Sequence, residues 1–155
     1  MKKNKPESLE KARGYAFLLL KFRLRSEKEI TQRLKEKKFD EQVIKETIEF
    51  LKERKFIDDQ AFAKAWIESR IRKPLGLRRL RQELSLKGID KKIIDAELEE
   101  VKKGYIEIDI VKKIVRERFE KLKGIQAQKA KFRLYAYLLR RGYSSEIVRE
   151  VLNKL

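Results

Sequence analysis

The chain repeats itself. Arg33 to Leu51 (RLKEKKFDEQVIKETIEFL) matches Glu83 to Val101 (ELSLKGIDKKIIDAELEEV) at an offset of 50, and Tyr137 to Leu155 (YLLRRGYSSEIVREVLNKL) follows at a further 54. Self-similarity at a period near 50 restricts the fold to a tandem array, because every copy must adopt the same supersecondary unit. The shared features have a local physical meaning. A residue suited to cap a helix (Asp40, Asp90, Ser144) is preceded by Phe39, Ile89 or Tyr143 and followed four places later by Ile44, Ile94 or Val148, which is a hydrophobic staple. Gly88 and Gly142 stand just before the stapled residue, where a left-handed helix stop favours glycine. The first copy has Lys38 there, so its turn is expected to be strained or different.

Each copy reads helix, helix, helix. In the first, Ser8 is the expected cap, and Ala12, Tyr15, Ala16, Leu19 and Phe22 share one face and should be buried together. Ser26 with Glu29 fits a capping box opening a helix with Ile30 and Leu34, and Val43, Ile44, Ile48 and Leu51 mark the third helix. In the second copy Asp58 or Asp59 caps a helix bearing Phe62, Ala65 and Trp66. After a Pro74-Leu75-Gly76 break, Leu77, Leu80 and Leu84 define the next. Trp66 is expected in the core, as large aromatics at helical spacing usually are. The third copy is expected to begin near Asp109, with Ile110, Val111, Ile114, Val115 and Phe119, then Phe132, Leu134, Tyr135 and Leu138, after four extra residues around Gly124 to Ala127. Strand-type alternation is confined to Tyr105 to Ile108, too short to pair usefully. The expected fold is all-α: three tandem three-helix repeats, elongated and curved, with a flexible basic tail at 1–7 and repeats at 8–57, 58–104 and 105–155.

Composition bears on function through sign and omission. The 155 residues include no Cys and no His, which removes the usual zinc, haem and thiol chemistries and the commonest general base. The adjacent Asp58 and Asp59 diverge by about a hundred degrees on a helix, so they suit capping better than a shared metal. There is no GxxxxGK[ST] loop for a nucleotide. We therefore expect no enzyme activity, no cofactor and no metal. The apolar run Tyr15 to Leu20 stops at Lys21, too short to span a membrane, and a cytoplasmic location is expected.

A formal net charge of +17 favours a polyanionic partner. A charge-rich, ion-paired helical surface accounts for the abundance of charge but not for its sign. Basic residues also recur in place: eight against three acidic in Lys21 to Lys38, seven against one in Arg70 to Lys87, and five against none in Lys129 to Gly142. The third helices lean acidic. Stacked units would align the basic segments into a stripe. Arg78, Arg79 and Arg81 lack enough local carboxylates for ordinary i,i+4 pairing, which favours binding. The candidate contacts are Arg70, Arg72, Arg78, Arg79, Arg81 and Lys87, extended by Arg23, Arg25, Arg133, Arg140 and Arg141. Gly76, as an N-cap, offers backbone N–H groups to a phosphate, and Tyr135 or Tyr137 suits either packing or contact.

The run DDQAFAKAWIESRIRKPLGLRRLRQELSLKGID resembles the middle repeat of the RecX family of recombinase regulators. The matching positions are Asp59, Phe62, Ala63, Arg70, Gly76, Arg79, Leu80, Glu83, Leu84, Lys87, Gly88 and Ile89, with Pro74-Leu75 a departure before the glycine. Arg13-Gly14-Tyr15-Ala16, Leu19, Arg25-Ser26-Glu27, Leu34 and Phe39-Asp40 resemble the family's opening, and Arg141-Gly142-Tyr143 its last repeat. The resemblance spans Leu9 to Leu155. It implies a three-repeat helical protein that binds RecA recombinase and RecA-coated single-stranded DNA in the filament groove and usually restrains it, with a monomer expected. The alternative is a sequence-independent binder of naked single-stranded or duplex DNA, or RNA, and steep salt dependence would mark it.

Overall fold

The structure, a computed structural model, describes residues 4–155. The described residues form nine helices: α1 (Lys5–Phe22), α2 (Glu27–Glu36), α3 (Glu41–Glu53), α4 (Asp59–Arg70), α5 (Leu77–Leu86), α6 (Lys91–Lys102), α7 (Glu107–Lys121), α8 (Ala127–Arg140) and α9 (Ser145–Asn153). Helix packing is concentrated within three consecutive triplets, α1–α3, α4–α6 and α7–α9. Each has its own apolar centre: Ala12, Ala16, Ile30, Leu34 and Leu51 in the first, Ala63, Ile67, Leu80, Leu84 and Ile94 in the second, Val111, Val115, Leu138, Tyr143 and Val148 in the third. Three small cores in a row leave much surface exposed. The chain shows 10897 Å² to solvent, against about 8,200 Å² expected of a compact monomer of its 18.6 kDa. The array is therefore extended.

Local chemistry sets most of the boundaries. Ser26 accepts from Glu29 N–H while Glu29 reaches back to the Ser26 N–H, a complete capping box. Asp58, not Asp59, caps α4, accepting from the N–H groups of Gln60 and Ala61. Asp90 caps α6 through its side chain, whereas Asp40 and Ser144 contribute only their backbone carbonyls, to Ile44 and Val148. All three stops before the stapled residues are left-handed, with φ 63° at Lys38, 78° at Gly88 and 87° at Gly142. Lys38 thus carries the strain expected of a side chain in that region.

Four expectations are corrected. The tail through Glu7 is not a tail throughout, because α1 starts at Lys5 with Pro6 in its first turn, where a missing N–H costs nothing; Met1 to Lys3 lie outside the described residues. Ser8 consequently sits inside that helix, buried, and caps nothing. Helix α7 begins at Glu107, ahead of Asp109, so the short alternation at Tyr105 to Ile108 is a helix entry. Phe22 and Phe132, placed on buried faces by spacing, are 76 % and 73 % exposed. Phe22 ends α1, where the chain leaves in extended conformation at Arg23, so no helix covers it.

The triplets meet head to tail through the same joint, made twice. At the first joint the Ser26 hydroxyl donates to the Lys87 carbonyl at 2.7 Å, with Ser26 fully buried. At the second, the Gly76 N–H donates to the Arg141 carbonyl at 2.8 Å and the Arg78 N–H to the Gly142 carbonyl at 3.2 Å. Ser26 and Gly76 are both N-caps of second helices, and Lys87 and Arg141 are both C-caps of second helices in the next triplet. This explains the two glycines better than φ alone. A Cβ on Gly88 would stand 2.5 Å from the Lys28 Cβ, and one on Gly142 would overlap Arg79. Among the described residues nothing comparable bonds to the turn at Lys38, whose side chain is exposed.

Candidate nucleic-acid interface

The second joint gathers the largest set of cations. A cavity of about 670 Å³ is lined by Arg78, Arg79, Arg81 and Gln82 of α5 and, across the joint, by Arg140 and Ser145. A second opening, about 350 Å³, is lined by Arg70, Lys73, Arg79, Tyr137, Arg140 and Arg141. Arg79 and Arg140 line both, so the two adjoin along the joint. Neither has a carboxylate among its lining residues. The structure thus brings together six of the sequence candidates, Arg70, Arg78, Arg79, Arg81, Arg140 and Arg141. Arg133 lies beside Arg140 in a separate cleft of the third triplet. Arg23, Arg25, Arg72 and Lys87 line neither cavity of the joint.

Several of these cations already have partners, contrary to the expectation that Arg79 and Arg81 lack enough carboxylates. Arg70 and Arg79 both pair with Glu83, at 2.6 and 3.3 Å, and Arg81 pairs with Asp95 of α6. Arg23 and Lys87, from neighbouring triplets, share Glu29. Burial works against the charge on Glu83. Hydrogen bonds from Arg70, the Trp66 indole and Arg79 outweigh it and hold the carboxyl below its ordinary value. The same pair raises the Arg70 guanidinium. Arg25 is pushed the other way, by burial and by the neighbouring charge of Arg23. No ion pair or carboxylate hydrogen bond engages Arg72, Arg78, Arg133, Arg140 or Arg141 among the described residues. Of these unpaired candidates, Arg78, Arg140 and Arg141 line the second joint, and Arg133 lines the cleft of the third triplet beside Arg140.

The helix N-terminus at Gly76 is not open to a phosphate. Its N–H and that of Arg78 are spent on the joint. Glu107 is half-buried, and burial raises its carboxyl above the ordinary range despite the N–H groups of Ser144 and Leu77. Beside it Tyr105 donates to the Leu75 carbonyl, and the buried Tyr143 hydroxyl has no hydrogen-bond partner among the described residues. Burial pushes the Tyr143 phenol up.

The aromatic candidates are engaged from within. Trp66 is half-buried, not fully so: it stacks on Phe62, donates its indole N–H to Glu83 at 2.9 Å and carries the Lys87 ammonium 5.1 Å from its ring. Arg149 lies over Tyr135, and Arg118 and Arg141 lie 3.8 and 5.2 Å from the Tyr137 ring centroid. Reading by sequence missed Gln82, Ser145 and Arg118, and it counted Lys73 without naming it a contact. Only the fold shows which of them share a surface: Gln82, Ser145 and Lys73 line the joint, and Arg118 the cleft between α7 and α8.

An extended, all-helical tandem-repeat protein with a cationic joint is the class that fold and site define. Models of the RecX first, second and third three-helix domains match residues 12–51, 58–98 and 106–152. The regulatory protein RecX of Chlorobium phaeobacteroides (strain BS1) is 40 % identical over 147 residues, covering 94 % of each chain. That of Clostridium beijerinckii is 32 % identical over 151 residues, covering 96 % of this chain and 70 % of its own. The crystal structure of RecX from Lactobacillus salivarius superposes with a TM-score of 0.83 at 21 % identity, covering 97 % of both chains. The chain belongs to the RecX family of regulatory proteins. No helix among the described residues is long and apolar enough to cross a membrane.

Proposed function

We propose that this chain regulates a RecA recombinase by lying along its single-stranded DNA filament, restraining filament growth as a monomer in the cytoplasm, without catalysis of its own. The family supports the recombinase partner, and the observation that carries the contact is the second joint. There seven cations, Arg70, Lys73, Arg78, Arg79, Arg81, Arg140 and Arg141, line two adjoining cavities with no carboxylate among the lining residues. Such a surface attracts either phosphodiester or protein carboxylates, both of which a nucleoprotein filament presents. The internal pairs of Arg70, Arg79 and Arg81 hold their guanidiniums in place, so less side-chain freedom is lost on contact. Lys73, Arg78, Arg140 and Arg141 supply the uncompensated charge. Arg23, Arg25, Arg72, Lys87 and Arg133 extend the contact to either side.

DNA-stimulated ATP hydrolysis by the recombinase tests this, with the chain added well below one copy per recombinase monomer. Suppression at that ratio, lost in the double variant Arg140→Glu, Arg141→Glu with helicity intact, is the expected result. Suppression only when the chain is abundant enough to cover the DNA points instead to competition for naked strand. Undiminished suppression by the double variant removes the joint from the interface.

A further inference from the structure

The third triplet holds a second basic surface of a different chemistry. A cleft of about 470 Å³ runs between the end of α7 and α8. Arg118, Lys121, Arg133 and Arg140 rim it, and Leu122 and Leu134 lie among its apolar lining. Phe132 stands at its lip, 73 % exposed. None of the lining residues is acidic. The cavities of the joint are surrounded mainly by guanidiniums and polar groups; this one combines cations with an apolar interior.

We infer that the α7–α8 cleft takes a short acidic segment of a partner protein, with one large apolar side chain lodged between flanking carboxylates. An apolar anchor in a pocket and charge pairs at the rim are the usual division of labour at protein interfaces. The cleft volume falls within the range of sites that enclose ligands. Arg118 and Lys121 lie on one wall, Arg133 and Arg140 on the other, so carboxylates on both sides of an anchor meet a cation. A nucleic-acid strand would use the cleft by stacking a base. That is disfavoured at Tyr137, whose ring is covered by Arg118 and Arg141 and whose hydroxyl accepts from Arg118 at 2.8 Å. Arg140 belongs to this cleft and to both cavities of the joint, so an acidic segment seated here shares a cation with whatever occupies the joint. The inference does not depend on the filament reading, because it concerns binding by this chain alone.

Fluorescence anisotropy with the full chain tests it. The probes are a fluorescein-labelled peptide with one phenylalanine between two Asp-Glu pairs, the same peptide with alanine in its place, and a labelled oligo(dT). The phenylalanine peptide is expected to bind at least about tenfold tighter than the alanine peptide, the least that burial of such a side chain provides. Phe132→Ser should shrink that preference to roughly twofold while leaving oligo(dT) affinity unchanged. Lys121→Glu, at an exposed position, should weaken both peptides and serves as the second variant, with circular dichroism reporting the fold of each. Equal binding of the two peptides overturns the inference. So does a loss of oligo(dT) binding in Phe132→Ser as large as the loss of peptide binding, which would assign the cleft to a stacked base.

Discussion

Three glycine-to-alanine variants separate the strain of a turn from the closeness of a joint. Gly76 has φ −76°, so a methyl group there causes no backbone strain, yet it would overlap the backbone of Gly142 and Tyr143. Gly124 is the converse, with φ 95° and nothing within 4 Å of an added Cβ. Gly142 combines the two, at φ 87° with Arg79 in the way. Forcing the second joint apart at Gly76 removes two backbone hydrogen bonds, Gly76 to Arg141 and Arg78 to Gly142, each about 1 kcal/mol net. The docked arrangement then loses about 2 kcal/mol, a roughly thirtyfold change in its population. Gly124→Ala costs about 1 kcal/mol from the left-handed backbone alone, and Gly142→Ala about 3 kcal/mol from both sources. The smaller entropy of the alanine-bearing unfolded chain is common to all three and cancels from the comparison. Urea unfolding followed by Trp66 fluorescence, which reports the second triplet, and by far-ultraviolet circular dichroism, which reports every helix, measures the order. In Gly76→Ala the two probes should part company, because the third triplet no longer depends on the second. A Gly76→Ala variant less destabilised than Gly124→Ala, with coincident transitions, would refute the joint as the source of the coupling.

Four further outcomes are expected. Ser26→Ala should cost about 2 kcal/mol in the same unfolding assay, since it removes the α2 cap and leaves the Lys87 carbonyl without its donor. Lys38→Gly should stabilise by about 0.5 to 1 kcal/mol, read as a higher melting temperature, by relieving φ 63° at an exposed position. The acid limb of the stability profile should flatten in Glu83→Gln: its carboxyl lies below the ordinary 4.5, so its contribution is present above that pH and disappears as pH falls through the lowered value. Glu107→Gln should act with the opposite sign. The raised Glu107 carboxyl contributes fully below 4.5 and loses that contribution as pH rises through its folded value, so the variant gains relative stability toward neutrality. Denaturation midpoints measured from acid to neutral pH decide both.

What was legible in the sequence was whatever is local. The capping box at Ser26, the staples before α3, α6 and α9, and the left-handed stops at Gly88 and Gly142 are each written within a few residues. The joints are not, because Ser26 and Lys87 lie 61 positions apart and no periodicity links them. Separation along the chain also hid two of the ion pairs, since Asp95 belongs to another helix from Arg81 and Glu29 to another triplet from Lys87, whereas the Arg79–Glu83 pair, four residues apart, was within local reach. Counting carboxylates along the chain therefore overstated how exposed the α5 charges are. Gly76 was read as offering backbone N–H groups to a phosphate, but the acceptors are carbonyls of the next triplet. Phe22 and Phe132 follow the helical spacing of buried residues and still face outward, since spacing states which face a residue is on and not whether anything covers it.

A joint built from main-chain atoms and glycine has a property that one built from side chains lacks. Side chains drift as a lineage diverges, and an interface that depends on their volumes changes its angle as they do. The peptide group does not drift. At the second joint the turn of the array is therefore set largely by backbone dimensions, whereas the first hangs on the Ser26 hydroxyl and holds only while that side chain is kept. A partner with its own regular repeat would meet at that joint a spacing that substitutions in the surrounding side chains leave in place.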